Sequence, residues 1–166
     1  MKIVFSNLFI AFIRILRNNI YIVMTQTFTV VWLDTYALES DNSFREKLGN
    51  AQIFNDSQKC IDYIQTHSNE LIYFIVSGSL AQDVVPTIFE LDNLMKIFLY
   101  CGSVMKYAEW GLDFIEKLLI FDHGDDLLER LWNEIESCLR SKGSEYAPLA
   151  NEYKKRALRY KQAPCG

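Results

Sequence analysis

The sequence lacks the residue patterns that mark the commonest metal, redox and phosphate sites. Its four cysteines, Cys60, Cys101, Cys138 and Cys165, lie far apart and form neither a CxxC pair nor a Cys/His ligand spacing. No GxGxxG or GxxxxGK[ST] string occurs in it. We therefore predict no metal, no cofactor and no disulfide framework. The first three cysteines are interpreted as small buried hydrophobic residues.

The sequence also has fewer basic than acidic residues. The chain has 17 Lys and Arg residues against 21 Asp and Glu residues, a formal net charge of -4. A general nucleic-acid binder would carry a basic face over its whole domain, so we predict no nucleic-acid partner. The 166 residues, half of them apolar, suffice for one buried core but not for two ordinary domains. The cysteine usage fits a reducing compartment, which predicts a cytoplasmic location.

The first 24 residues differ in composition from the rest. They are largely apolar, have no acidic residue, and carry Lys2, Arg14 and Arg17 as their only charges. The two arginines break the uncharged run that a spanning helix or a cleavable signal needs. Residues 1–23 are therefore either an extension idle in the fold or a helix that contacts a membrane surface. A transmembrane anchor fits the charges less well.

Residues 25–142 alternate apolar runs with amphipathic runs. The strands are predicted at residues 27–33, 53–54, 71–76, 95–100 and 117–121. One intervening helix is expected to begin near Val84, because Pro86 is tolerated in a first turn. A long amphipathic helix is expected over residues 125–140. Strands that alternate with helices predict a doubly wound α/β fold with a parallel five-stranded sheet in the order 2-1-3-4-5.

Residues 143–166 form a third region, which is basic. Lys154, Lys155, Arg156, Arg159 and Lys161 stand against the single acid Glu152, and apolar residues recur at helical spacing. This segment is either a sixth helix that docks on the domain or the first helix of a following helical module.

A ligand site in such a sheet lies beyond the carboxyl ends of the strands, where the strand order reverses. The residues that the sequence places at this edge are Asp34, Ser77, Gly78, Ser79, Cys101, Ser103, Asp122 and His123. Each of them also has a structural interpretation. The Asp34 carboxylate could bond the next backbone amides, the Ser77 to Ser79 segment could be a simple turn, and Asp122 or Asp125 could cap the last helix of the domain.

The two histidines and one pair of glutamates receive structural interpretations. His123 is a weak candidate for a general base, because neighbours in sequence such as Asp122 and His123 are not expected to face each other. His67 lies in a polar helix end and is predicted to be solvated. Glu134 and Glu136 form an ExE string, but it falls inside an amphipathic helix and is interpreted as a solvated face.

The arrangement resembles the receiver domain of response regulators, which has a flavodoxin-like fold. That resemblance implies an acidic pair after the first strand, a phospho-accepting Asp after the third, a hydroxyl after the fourth and a Lys after the fifth. Here Asp34 stands at the first acidic position, Ser77 at the acceptor and Ser103 at the hydroxyl. Asp122 or His123 stands in place of the lysine. Because a serine cannot form the acyl phosphate, the resemblance implies a degenerate, receiver-like domain.

Several strings carry a second resemblance. VVWLD, FIVSGSL with VVP, IFLYC and LLIFDHGDDLLERLW are similar to the N-terminal domain of certain large invertebrate proteins. There the domain precedes tetratricopeptide repeats or an arginine-type mono-ADP-ribosyltransferase domain. The resemblance implies a non-catalytic interaction or regulatory module with a protein partner. The alternative is a small nucleotide- or NAD-binding domain that uses the strand-end crevice.

Overall fold

A short antiparallel hairpin precedes the main sheet in the computed structural model of this chain. The structure describes residues 12–16, 19–23, 27–39, 43–143 and 146–161, and the predictions for the other residues, Cys165 included, lie outside them. Strands β1 (Phe12–Leu16) and β2 (Asn19–Val23) form the hairpin. A helix over these ten residues is therefore the wrong alternative. Four of the ten residues are isoleucine, and Phe12, Tyr21 and Val23 are further residues that favour strands.

Five parallel strands form the main sheet. They are β3 (Phe28–Leu33), β4 (Gln52–Phe54), β5 (Leu71–Ser77), β6 (Leu94–Tyr100) and β7 (Leu118–Phe121). Their spatial order is β4-β3-β5-β6-β7, which confirms the predicted order 2-1-3-4-5 for the strands of this sheet. The central strand β5 is buried at six of its seven positions. A strand covered on both faces needs such an uninterrupted apolar run.

Helices cover both faces of this sheet, as expected of a doubly wound, flavodoxin-like fold. They are α1 (Ser43–Leu48), α2 (Ser57–Thr66), α3 (Gly78–Ile88), α4 (Met105–Gly111) with a 3-10 turn (Leu112–Phe114), α5 (Gly124–Ser141) and α6 (Ala147–Lys161). Helices α2, α3 and α4 share one core with the sheet, here called the first layer. Helices α1, α5 and α6 share the other, the second layer. No helix in the described part of the chain is long and apolar enough to cross a membrane.

The helix that follows β5 begins earlier than the sequence predicts. Helix α3 starts at Gly78 directly after the strand, so its expected start near Val84 is wrong. Pro86 lies inside the helix near its end and is exposed. Because proline has no N–H, the carbonyl of Gln82 lacks its helical hydrogen-bond donor. Gln82 is also exposed, so water can donate to this carbonyl instead. We attribute the early start of α3 to the packing of its apolar face on the sheet, which outweighs the hydrogen bond that Pro86 removes.

Helix α6 docks on the domain, which is the first of the two predicted alternatives. Ala150 and Ala157 are buried against the second layer. The Tyr153 ring lies 5.2 Å from the ring of Phe28 on β3 and 5.6 Å from the ring of Trp132 on α5. The turn between α5 and α6 contains Gly143 at φ 120°, a conformation that favours glycine. This helix therefore completes the core of the second layer.

Candidate functional site

The carboxyl ends of the parallel strands carry the residues that the sequence places at a ligand site. Asp34 follows β3, Ser77 ends β5, and Cys101 follows β6. Asp122 and His123 lie between β7 and α5. We call this rim of the sheet the strand-end edge. The contacts of each residue decide what chemistry the edge can support.

Asp34 is used in a local turn. Its Oδ1 accepts a hydrogen bond from the backbone N–H of Tyr36 at 2.8 Å. Its own backbone N–H donates to the carbonyl of Phe54 at 3.1 Å, which joins the end of β3 to β4. The structural interpretation of this carboxylate is therefore the one observed.

The Ser77 to Ser79 segment starts α3 and is covered by α4. The two serine hydroxyls lie 3.3 Å apart, and Ser77 makes no side-chain cap bond to the helix. A Cβ on Gly78 would stand 2.7 Å from Tyr107 Oη and 3.0 Å from Cys101 Cβ, so only glycine fits without a shift. Tyr107 is itself buried. This tyrosine is not among the residues predicted at the edge, because no local sequence pattern shows that α4 lies over the start of α3.

Cys101 is a structural residue at this edge. Its backbone N–H donates to the carbonyl of Phe121 at 2.9 Å, and its thiol lies 3.6 Å from the same oxygen. Burial raises the pKa of the Cys101 thiol, which lowers its thiolate fraction and its reactivity. Cys60 is fully buried, and burial raises its pKa to about 12. Ser103 is exposed, and its carbonyl accepts from the N–H of Lys106 at 3.3 Å.

Asp122 and His123 contact each other, contrary to the expectation for sequence neighbours. The Asp122 Oδ1 lies 2.8 Å from His123 Nδ1 in an exposed turn. This hydrogen bond raises the pKa of His123 and lowers the pKa of Asp122. The predicted capping role is also wrong, since α5 has no side-chain cap and Asp125 instead pairs with Lys47 Nζ at 2.8 Å.

The other candidates from the sequence have structural roles. His67 is half-buried and stacks on Tyr63 with ring centroids 3.9 Å apart, so the prediction of a solvated side chain is wrong. Its Nδ1 lies 2.8 Å from the carbonyl of Tyr63. Glu134 pairs with Arg130 at 2.6 Å and Glu136 with Arg140, both along the surface of α5. The ExE string is thus an ion-paired helix face.

An open groove of about 240 Å³ lies away from the strand-end edge, beside α5. Its lining consists of Tyr73, Met95, Lys96, Glu134, Ser137, Cys138 and Ser141. None of the strand-end residues lines it. Among the described residues, no group of three or more His, Cys, Asp or Glu side chains could hold a metal ion.

A surface at α4 and the 3-10 turn exposes large apolar side chains. Met105 is 83% exposed, Leu112 63% and Ile115 67%. The acidic residues Glu109, Asp113 and Glu116 are interspersed with them and exposed as well. We call these six residues the α4 surface. The spacing of seven between Met105 and Leu112 was the available sequence signal, because it puts both on one face of a helix.

Comparison with known proteins finds no relative of this chain. No protein-family model matches it, and searches of curated proteins and of solved structures return no significant match. The resemblances to receiver domains and to the N-terminal domain of the invertebrate multidomain proteins therefore stay predictions.

Proposed function

We propose that this chain is a non-catalytic protein-interaction module that binds its partner through the α4 surface. The exposure of Met105, Leu112 and Ile115 is the observation that carries the proposal. Single exposed apolar residues are ordinary, but a cluster rimmed by charged residues is typical of interaction sites. Moving one such side chain from full exposure to full burial is favourable by about 1.5–3 kcal/mol. A partner that covers all three side chains therefore gains substantial binding free energy.

The strand-end edge supports the non-catalytic part of the proposal. In the receiver resemblance Ser77 stands at the position of the phospho-accepting Asp, and its hydroxyl lies 3.3 Å from that of Ser79. Asp34 bonds a backbone amide. Asp122 and His123, one of which stands at the lysine position in the same resemblance, are exposed and contact each other at 2.8 Å. These contacts serve local structure, which favours a docking role over phosphotransfer.

Affinity capture from an extract of the source organism, followed by quantitative mass spectrometry, tests the docking role. The variant Leu112→Ser with Ile115→Ser is expected to lose the captured partner, because it removes the apolar centre of the surface. Leu38→Ser is the matched control, since Leu38 is 49% exposed and lies outside the α4 surface. Equal capture by both variants and the wild type would refute the role of this surface.

Two further measurements test the non-catalytic part. Incubation with acetyl phosphate and Mg²⁺ is expected to leave the intact mass unchanged, and a labile phosphoryl adduct would contradict the proposal. A thermal-shift series with millimolar nucleotides, NAD included, is expected to show no stabilisation, since a ligand that binds the native state raises its stability. A saturable shift that Ser77→Ala abolishes would favour a nucleotide-binding domain instead.

A further inference from the structure

The outward side of α6 carries a group of unneutralised cations. Lys154, Lys155, Arg159 and Lys161 are exposed and surround Leu158, which is 43% exposed. None of these four cations pairs with an acidic residue in the part of the chain that the structure describes. We call these five residues the α6 outer face.

This face contrasts with the neighbouring helix α5. Both arginines of α5 pair with glutamates one turn away, Arg130 with Glu134 and Arg140 with Glu136. Helix α6 has five basic residues and one acidic residue, while the rest of the chain has 12 basic and 20 acidic residues, a net charge of -8. A basic helix on an acidic protein creates an asymmetric field that attracts acidic surfaces.

The α4 surface has the complementary pattern. Glu109, Asp113 and Glu116 form no ion pair with any other described residue. Met105 and Glu109 lie one turn apart on α4, and Leu112 and Glu116 follow in the 3-10 turn and the turn after it, so apolar and acidic side chains alternate along the segment. Exposed apolar groups flanked by acids can thus receive an exposed leucine flanked by bases.

We propose that the α6 outer face of one copy of this chain docks on the α4 surface of a second copy. The inference rests on the proposed docking role of the α4 surface and names the occupant. Charge complementarity carries the choice, since the chain itself supplies a basic helix face with an exposed leucine at its centre.

The position of the two surfaces defines the kind of assembly. Helix α4 belongs to the first layer and α6 to the second, so the contact joins two different patches. Such a head-to-tail contact leaves one free patch at each end of a dimer. Association should therefore continue beyond the dimer unless the rotation closes a ring. It should also weaken at high salt, because the charged groups are exposed.

Sedimentation velocity across a concentration series, at low and high salt, tests the proposal with the full chain. The wild type is expected to shift from monomer to species larger than a dimer, and to lose this association at high salt. The variants Glu109→Lys with Glu116→Lys and Lys155→Gln with Arg159→Gln are each expected to stay monomeric. Lys59→Gln, which removes one exposed cation from α2, is the control that should associate like the wild type.

Mixing the two variants gives the decisive result. Each retains one intact patch, so an equimolar mixture is expected to form a dimer that cannot grow. Self-association of the Lys155→Gln and Arg159→Gln variant would overturn the inference, because it would show that the α4 surface binds something other than α6. A wild type that stays monomeric at every concentration would overturn it as well.

A membrane is a different class of partner for the α6 outer face, and vesicle binding tests for it. Binding of the wild type, but not of the Lys155→Gln and Arg159→Gln variant, to phosphatidylserine vesicles without any self-association would assign the α6 outer face to a membrane and overturn the inference. The proposed function fails separately, when adding Leu112→Ser and Ile115→Ser to the Lys155→Gln and Arg159→Gln variant leaves partner capture unchanged, because that bait can bind only through its α4 surface.

Discussion

The strand-end edge and the α4 surface differ in how their side chains are satisfied. At the edge, Asp34 accepts from a backbone amide, the Ser77 and Ser79 hydroxyls lie together, and Asp122 contacts His123. The α4 surface instead exposes apolar side chains beside acids that pair with no described residue. Several residues at the usual ligand position of this fold are thus engaged in local contacts, and the α4 surface is the place where we propose that a partner binds.

Tyr107 is buried against the start of α3 at Gly78, so its removal should have the largest effect. Tyr107→Ala is expected to lower the free energy of unfolding by about 3–5 kcal/mol, because it deletes a buried aromatic ring over the start of α3. Urea unfolding measures the change. Tyr107→Phe keeps the ring and removes a hydroxyl that makes no hydrogen bond to a described residue, so it should cost less than about 1 kcal/mol. A loss below about 1 kcal/mol for Tyr107→Ala would show that the ring does not pack on the edge.

Gly78 is the next most sensitive position. Gly78→Ala is expected to cost about 1–3 kcal/mol, because the new methyl group would overlap Tyr107 Oη and Cζ. Gly102→Ala is the matched control, since a Cβ there has no atom within 4 Å. In the Tyr107→Phe background the cost of Gly78→Ala should fall, because the nearest atom is gone. Additive effects in this double-mutant cycle would contradict the contact.

Asp34 should contribute less to the free energy of unfolding than Tyr107 or Gly78. Asp34→Ala is expected to cost about 0.5–1.5 kcal/mol, because it removes the acceptor for the N–H of Tyr36. Asp34→Asn keeps an oxygen in the same place and should retain most of this stability. Chemical denaturation of both variants distinguishes a turn residue from a ligand residue. A gain in stability with Asp34→Ala would point to a carboxylate held for a ligand.

Substitutions in the α4 surface, unlike those at the strand-end edge, should leave the stability of the monomer nearly unchanged. Leu112→Ser with Ile115→Ser is expected to change the free energy of unfolding by no more than about 0.5 kcal/mol, because both side chains are already largely in water. Thermal unfolding of a dilute sample, below the concentration of any self-association, measures this. A clear destabilisation there would mean that the two side chains serve the fold of the monomer.

The contact between Asp122 and His123 should give the smallest effect, visible as pH dependence. The hydrogen bond raises the pKa of His123, so its contribution is lost as pH rises through that raised value. It lowers the pKa of Asp122, so the contribution is also lost as pH falls through that lowered value. An NMR titration should show that Asp122→Asn lowers the pKa of His123. An unchanged His123 titration would refute the contact.

Patterns that depend on burial were predictable from the sequence. The run LIYFIV predicted the central strand β5, and its neighbours gave the order of the sheet, because a strand covered on both faces must be apolar throughout. The apolar stripe of α5 likewise predicted a helix. The residues of the strand-end edge followed from the topology alone.

Features that depend on tertiary packing or on the orientation of individual side chains were not predictable. Nothing near Gly78 shows that Tyr107 will lie over it, since the two are 29 positions apart. Pro86 predicted a later helix start, yet packing of the apolar face outweighs one missing hydrogen bond. Stacking of His67 on Tyr63, and the contact of Asp122 with His123, depend on side-chain orientations that spacing does not define.

The lengths of the outer strands have a consequence for aggregation. The edge strands β4 and β7 have three and four residues, while the three inner strands have six or seven. A short edge presents few unpaired backbone groups to a strand of another molecule, which protects a sheet against amyloid-like growth. The edges of the five-stranded sheet are therefore poor places for two molecules of this chain to pair, even at high concentration.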